Sequence, residues 1–277
     1  MLVTLNDLLI DARRNRYAVG LFNTVNMEML RGVIAAAEET RSPVIIGTAE
    51  ILLPFGPLEE LAGMLITAAK KATVPVVVHF DHGYTPALIV KSLSLGFSSV
   101  MYDCSKFSFE ENVKACVQMR QITDAFGATM EAELGHVGAG NPDIDSSVFT
   151  DVNEAQEFVE RTKVDALAVS VGSAHGEYKF TPHLELDRIS EIRDKIETPL
   201  VLHGGSGLSE DDFKNGIKNG ICKVNIYTDL IKAAGTAVES LQGSGNLTLE
   251  KVIPVMIEEI KKAAINKMKI FGSVGKA

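Results

Sequence analysis

Three histidines of this 277-residue chain stand where short apolar runs give way to glycine or polar residues: His82 in VVVHFDHG, His175 in LAVSVGSAHG and His203 in LVLHGGSG. Imidazoles from three separate segments can hold a divalent ion with one coordination position left open, the pattern of catalytic rather than structural zinc. Each taken singly is equally compatible with a hydrogen-bonded core or surface histidine. Asp81 directly precedes His82. A carboxylate there is placed either to move a proton on a metal-bound substrate or to cap the next helix. Strand neighbours point to opposite faces, so both residues reach one site only if the strand ends or twists at residue 82, which Gly83 permits. His79 lies inside the run and reads as a packed core residue. His136 is placed to support the site from behind, and His183, beside Pro182, reads as solvated.

The elements that must position these groups are legible as repeated punctuation. Near-continuous apolar, β-branched runs predict strands at Ala18–Thr24, Pro43–Ala49, Pro75–Asp81, Ser98–Cys104, Ala128–Leu134, Ala166–Gly172, Pro199–Gly205 and Cys222–Thr228. Such runs indicate strands covered on both faces, as in a parallel sheet. Amphipathic stretches between them predict helices, among them MEMLRGVIAAAEET, SFEENVKACVQMRQITDAFG and SEDDFKNGIKNG. Ser209 and Asp151 carry cap chemistry, and Gly96, Gly127 and Gly220 fall just past helix ends. Eight strand–helix units predict an α/β chain folded as a single (β/α)8 barrel over residues 1–277. An open doubly wound sheet is the competing arrangement, but no GxGxxG follows the first strand.

Two segments exceed a minimal barrel. Gly138–Thr150 has the polar composition of an active-site loop, and LTLEKVIPVMIEEIKKAAINKMKIFG predicts extra C-terminal helix interrupted at Pro254. Extra helices of that kind often pack a neighbouring subunit, which points to a homodimer or homotetramer. In a barrel, chemistry gathers at the carboxyl ends of the strands. Reading those ends gives Asn23, Thr48 with Glu50, Asp81-His82, Asp103, Glu131 with Glu133, Ser173 to His175, His203 to Ser206, and Asn225 to Thr228. The glycine-rich turn after the seventh strand and the NIYT stretch closing the eighth are where many barrels bind phosphate. Lys223 sits at the entry of the eighth strand, the wrong end for a Schiff-base lysine.

Composition sets the outer bounds. Acidic residues number 36 against 27 basic ones, a net charge of −9, which argues against a nucleic-acid surface. No apolar run reaches the ~20 residues needed to span a bilayer. Three cysteines without a CxxC spacing argue against a disulfide framework, and a reduced cytoplasm is the expected compartment.

Taken together, YAVGLFN, HFDHG, SSVMYD, EAELG, GSAHG, LVLHGGSGL and FGSVGKA resemble the metal-dependent class II fructose-bisphosphate and tagatose-bisphosphate aldolases nearly end to end. The resemblance implies a (β/α)8 fold and cleavage of a ketose phosphate, as 1-phosphate or 1,6-bisphosphate, to dihydroxyacetone phosphate plus an aldehyde. It implies one catalytic Zn2+ per subunit on His82, His175 and His203, with Asp81 as acid and base at the C4 oxygen. Gly176, Gly204, Gly205, Ser206, Asn225, Ile226, Tyr227 and Thr228 resemble the dihydroxyacetone-phosphate pocket, completed in relatives by a monovalent cation, Na+ or K+. Asn23 resembles a contact to the enediolate end, and Asp103 with Glu133 resembles a second or displaced metal position.

Two departures touch the same site. Where relatives carry a loop glutamate that helps move the C3 proton, this chain has Asn141, with Asp143 and Asp145 nearby. Where relatives offer Ser or Thr to the sugar, it has Ala49, and the neighbouring Glu50 would oppose a second phosphate. Lys261, Lys262, Lys267 and Lys269 read either as a solvated helix face or as positive charge across a subunit interface. A metal-dependent isomerase or epimerase, and a non-catalytic sugar-phosphate binder, are the rival functions.

Overall fold

The computed structural model describes residues 1–135, 149–174, 183–243 and 247–277. Eight parallel strands close on themselves in sequence order: β1 (Val19–Asn23), β2 (Val44–Ala49), β3 (Val76–Gly83), β4 (Ser99–Tyr102), β5 (Thr129–Leu134), β6 (Ala166–Val169), β7 (Leu200–Leu202) and β8 (Ile221–Ile226). The barrel closes because β1 pairs with β8 as well as with β2. Every predicted strand forms, although β6 and β7 stop three residues short of the predicted ends. Their last residues leave the ladder to become the loops that carry the site.

Ten helices accompany the strands among the described residues: α1 (Leu5–Asn15), α2 (Met27–Thr40), α3 (Leu58–Lys71), α4 (Pro86–Ser94), α5 (Phe109–Ala125), α6 (Val152–Thr162), α7 (Leu186–Lys195), α8 (Glu210–Asn219), α9 (Thr228–Ser240) and α10 (Leu249–Phe271). The caps act as their chemistry predicts. Ser209 accepts from the Asp212 N–H at 3.1 Å, and Asp151 from those of Asn153 and Glu154 at 2.8 and 3.0 Å. Gly220 takes φ +139° at the end of α8, in the left-handed region a side chain rarely adopts.

The C-terminal segment departs from expectation. Helix α10 runs unbroken through Pro254, which lies near its start and so removes a single backbone bond. It packs on α2, α8, α9 and β1, filling the outer ring between α8 and α2. Besides α1, the helix outside the minimal ring is α9, which the hydrophobic pattern did not single out. Lysines of α10 divide accordingly. Lys261 pairs with Glu39, Lys262 with Glu259 and buried Lys267 with Asp229, while Lys269 is exposed.

Inside the barrel, side chains alternate by the strand period and form layers. At the amino-terminal end Val19, Leu21, Ile45, Val77 and Val201 meet Leu5, Leu8 and Leu9 of α1, which plugs that mouth. Above them lies a polar layer of His79, Glu131 and Lys223, all fully buried. Asn23, Asp81, Glu133, His203 and Asn225 stand at the carboxyl end. Polarity therefore rises along the lumen from the α1 end to the carboxyl end of the strands.

Candidate active site

Strand β3 delivers two adjacent functional side chains by breaking its own regularity. His82 takes φ +41°, in the left-handed region, and the pairing with β4 shifts register between Phe80 and Gly83. That twist brings the Asp81 carboxylate and the His82 imidazole to the same mouth, which a straight strand forbids. Gly83 is required by space: a Cβ there would lie 2.6 Å from the Ile89 side chain and 2.8 Å from the Met101 carbonyl oxygen. Gly83→Ala is expected to cost about 1–3 kcal/mol of stability. Urea unfolding checks this, and an unchanged midpoint would contradict it.

Asp81 is no helix cap. Its Oδ2 accepts from Asn23 Nδ2 at 2.8 Å and its Oδ1 from Asn225 Nδ2 at 3.0 Å. Burial pushes its carboxyl up, but His82, Lys223, His203 and His79 together hold it well below the usual carboxylate range. The two histidines beside it are braced from behind. His82 Nδ1 donates to Asp103 Oδ2 at 2.9 Å, and His203 Nε2 faces Glu131 Oε1 at 2.9 Å. The rings lie 4.5 Å apart between centroids. Ligand atoms of Asp81, His82 and His203 fall within 4.8 Å of one another, and a second such group joins His82, Asp103 and Glu133. An imidazole anchored through one nitrogen by a carboxylate offers the other to a metal in a fixed orientation. The donor set thus fits a divalent ion on chemical grounds.

Beneath this layer runs a charged network that joins Glu131, which the strand ends named, to Lys223, which they did not. Lys223 is placed not at the far entry but within the lumen, its Nζ 2.9 Å from Glu131 Oε2 and 2.7 Å from Asn225 Oδ1. Burial raises the Glu131 carboxyl, while Lys223 first, then His203 and His79, bring it down to about 2. His79 is the packed residue expected: its Nδ1 meets Ser99 Oγ at 2.8 Å, and burial and then Lys223 lower its pKa to about 4. Alternation puts Glu131 on the face of Glu133 and Lys223 on that of Asn225, but not at which height along the barrel they meet.

A cleft of about 420 Å³ opens at this end, lined by Asn23, Asp81, His82, Gly204, Ser206 and the 225–228 stretch. Gly204 has φ +69°, and a Cβ on it would come within 2.3 Å of the Ala174 carbonyl oxygen, so the turn is closed to any side chain. Gly205 packs against Phe213 and Val224. Thr228 opens α9, whose unpaired N–H groups suit an anion. Asp229 in that first turn is offset by Lys267 at 3.3 Å. Thus the structure brings Asp81, His82, His203, Asn23, Gly204, Gly205, Ser206 and Asn225 to Thr228 together, with Asp103 and Glu133 adjoining. His175, Gly176, His136, Asn141, Asp143 and Asp145 lie outside the described residues.

The other half of the cleft corrects one expectation. Glu50 does not line the cleft: its carboxylate accepts from the Tyr84 and Thr85 N–H groups at 2.8 and 2.9 Å and from Thr85 Oγ1 at 2.6 Å. The wall is instead Ala49 with Ile51, Leu52 and Phe55 of a 3-10 turn at Glu50–Phe55. Ile51 is 74% exposed and Phe55 68%. The cleft's described lining holds no lysine or arginine.

The family model described as class-II fructose-bisphosphate aldolase matches residues 3–276. The chain belongs to that family. It is therefore an aldolase, a carbon–carbon lyase, and the family implies a divalent metal, typically zinc. It is 42% identical to the protein YdjI of Escherichia coli K12, across 96% of both chains, and 38% identical to a fructose-bisphosphate aldolase of Geobacillus stearothermophilus, covering 100% of this chain and 99% of the other. The crystal structure of the YdjI aldolase superposes with a TM-score of 0.92 at 39% identity, covering the whole of both chains. No helix among this aldolase's described residues is long and apolar enough to cross a membrane.

Proposed function

We propose that residues 1–277 act as one catalytic unit that reversibly cleaves a ketose 1-phosphate to dihydroxyacetone phosphate and an aldehyde. One observation carries the reading: a buried Asp81 gripped by two amides, with one of its oxygens within 4.8 Å of ligand atoms on His82 and His203. In it, His82, His203 and, outside the described residues, His175 hold zinc. Bound there, zinc would supply Lewis acidity toward the C2 carbonyl oxygen, where charge develops as the C3–C4 bond breaks. Asp81 accepts the C4 hydroxyl proton in cleavage and returns it in condensation. Position carries that assignment: the Asp81 carboxylate is held between the Asn23 and Asn225 amides beside His82 and His203, and neighbouring positive charge keeps it ionised. Asn23 faces the enediolate end. Gly176, Gly204 to Ser206 and Asn225 to Thr228 take the phosphate, with Na+ or K+ beside it. Asp103 and Glu133 offer a second or displaced metal position. A cytoplasmic homodimer or homotetramer completes the proposal.

The apolar wall of Ala49, Ile51, Leu52 and Phe55 supports a ketose 1-phosphate over a 1,6-bisphosphate, because it offers no cation to a second phosphate. The test follows triose phosphate in a coupled assay across a panel of ketose 1-phosphates and bisphosphates. Cleavage abolished by a chelator and indifferent to borohydride is the expected result. Conversion without triose, or inactivation by borohydride plus substrate, would refute it. In the condensation direction, neutral aldehydes are expected to exceed glyceraldehyde 3-phosphate in kcat/KM by about tenfold or more, the worth of one exposed charged hydrogen bond. The reverse order would sink the 1-phosphate preference.

A further inference from the structure

We infer that Lys223 is a positioning residue that sets both the Asp81 carboxylate and the metal-facing side of His203 from below the site. This rests on the roles proposed for those two residues. Lys223 is fully buried on β8 and does not line the cleft. Its ammonium is a donor with no acceptor. It stands 2.7 Å from Asn225 Oδ1, and so dictates which end of that amide faces down. The Asn225 Nδ2 group must then face Asp81, to which it donates at 3.0 Å. A reversed amide would set N–H against the ammonium and a carbonyl oxygen against the carboxylate, two repulsions in a buried space.

The same ammonium holds Glu131, at 2.9 Å to Oε2 and 3.2 Å to Oε1. Glu131 Oε1 in turn meets His203 Nε2 at 2.9 Å, which fixes the ring, while its Nδ1 lies 3.3 Å from Glu133 Oε2. His79 Nε2 lies 3.9 Å from Glu131 Oε2 and brackets the carboxylate from β3. One cation therefore orients the base through an amide and the metal-binding imidazole through a carboxylate. Neither link passes through the backbone, so loss of Lys223 releases both while the barrel remains.

The experiment measures zinc affinity of folded Lys223→Met by competition with a chromophoric chelator, and the visible d–d spectrum of its Co2+ form. Zinc affinity is expected to fall about 10–100-fold, the usual effect of losing support behind a metal ligand. The cobalt bands are expected to shift, and kcat for cleavage to fall by more than KM changes. Val77→Ala, in the apolar layer below, is the control for loss of packing alone and should leave affinity and spectrum unchanged. Parent-like zinc affinity and cobalt spectrum in folded Lys223→Met would overturn the inference. If that variant does not fold, Lys223→Gln is read in its place, and failure of both would make the lysine a folding requirement and overturn it too. The underlying reading fails separately: His203→Ala that retains zinc removes the ligand role, whereas zinc loss there with unchanged Lys223→Met removes only this inference.

Discussion

Replacing Asp81 by alanine is expected to lower kcat for ketose phosphate cleavage by about 10³-fold, within the range that general acid–base groups contribute, while one zinc remains bound per chain. Both Asp81 oxygens already accept amide N–H bonds, from Asn23 and Asn225, so this carboxylate is committed to being held ionised. On the proposed reading the metal would keep His82 and His203, each anchored by a different carboxylate, Asp103 behind His82 and Glu131 behind His203. Asp81→Asn is the companion variant: it preserves shape and removes the proton acceptor, but it also sets an NH2 against one of the two donor amides of Asn23 and Asn225. Stopped assays and zinc content measured on the same preparations decide the matter. Turnover near the parent's would take Asp81 out of the reaction, and loss of zinc in both variants would make it a ligand.

For His203→Ala the expected result is loss of zinc and of measurable cleavage, with a lower unfolding temperature. His203 is fully buried between two carboxylates, Glu131 Oε1 at 2.9 Å and Glu133 Oε2 at 3.3 Å. Burial lowers its pKa, but the bonds to Glu131 and Glu133 outweigh this and raise it to about 10. Taking away one member of such a buried charged group costs about 3–5 kcal/mol, since the remaining charge keeps its desolvation penalty. Added zinc is expected not to restore the loss. Zinc content by atomic absorption, read beside a thermal melt, checks both parts. Full occupancy at the parent's affinity would contradict the ligand assignment.

Why so much of the fold was legible follows from its physics. Strands covered on both faces must be apolar throughout, so PVVVHF and PLVL announce themselves, and Ser209 and Asp151 mark helix starts by chemistry that few other positions need. The grouping of the candidate residues was legible because a barrel sends strand ends to one face. Radial depth was not. Lys223 is only two residues before Asn225, yet whether such a residue lies at the far mouth or against the site depends on the stagger of all eight strands, which no single strand encodes. Glu50 misled for a related reason: it follows β2 at the right height, but the loop before α4 offers it two N–H groups and a hydroxyl, and it turns there. Lys267 belongs to a lysine-rich stretch that resembles a solvated face, and only the packing of α10 into the ring buries it against Asp229.

The most direct test of the central claim is anomalous diffraction at the zinc edge from crystals of the zinc-loaded protein. A single peak is predicted, about 2.0–2.1 Å from one imidazole nitrogen each of His82, His175 and His203. Zinc bound elsewhere, or held by carboxylates while those imidazoles stand apart, would contradict the account.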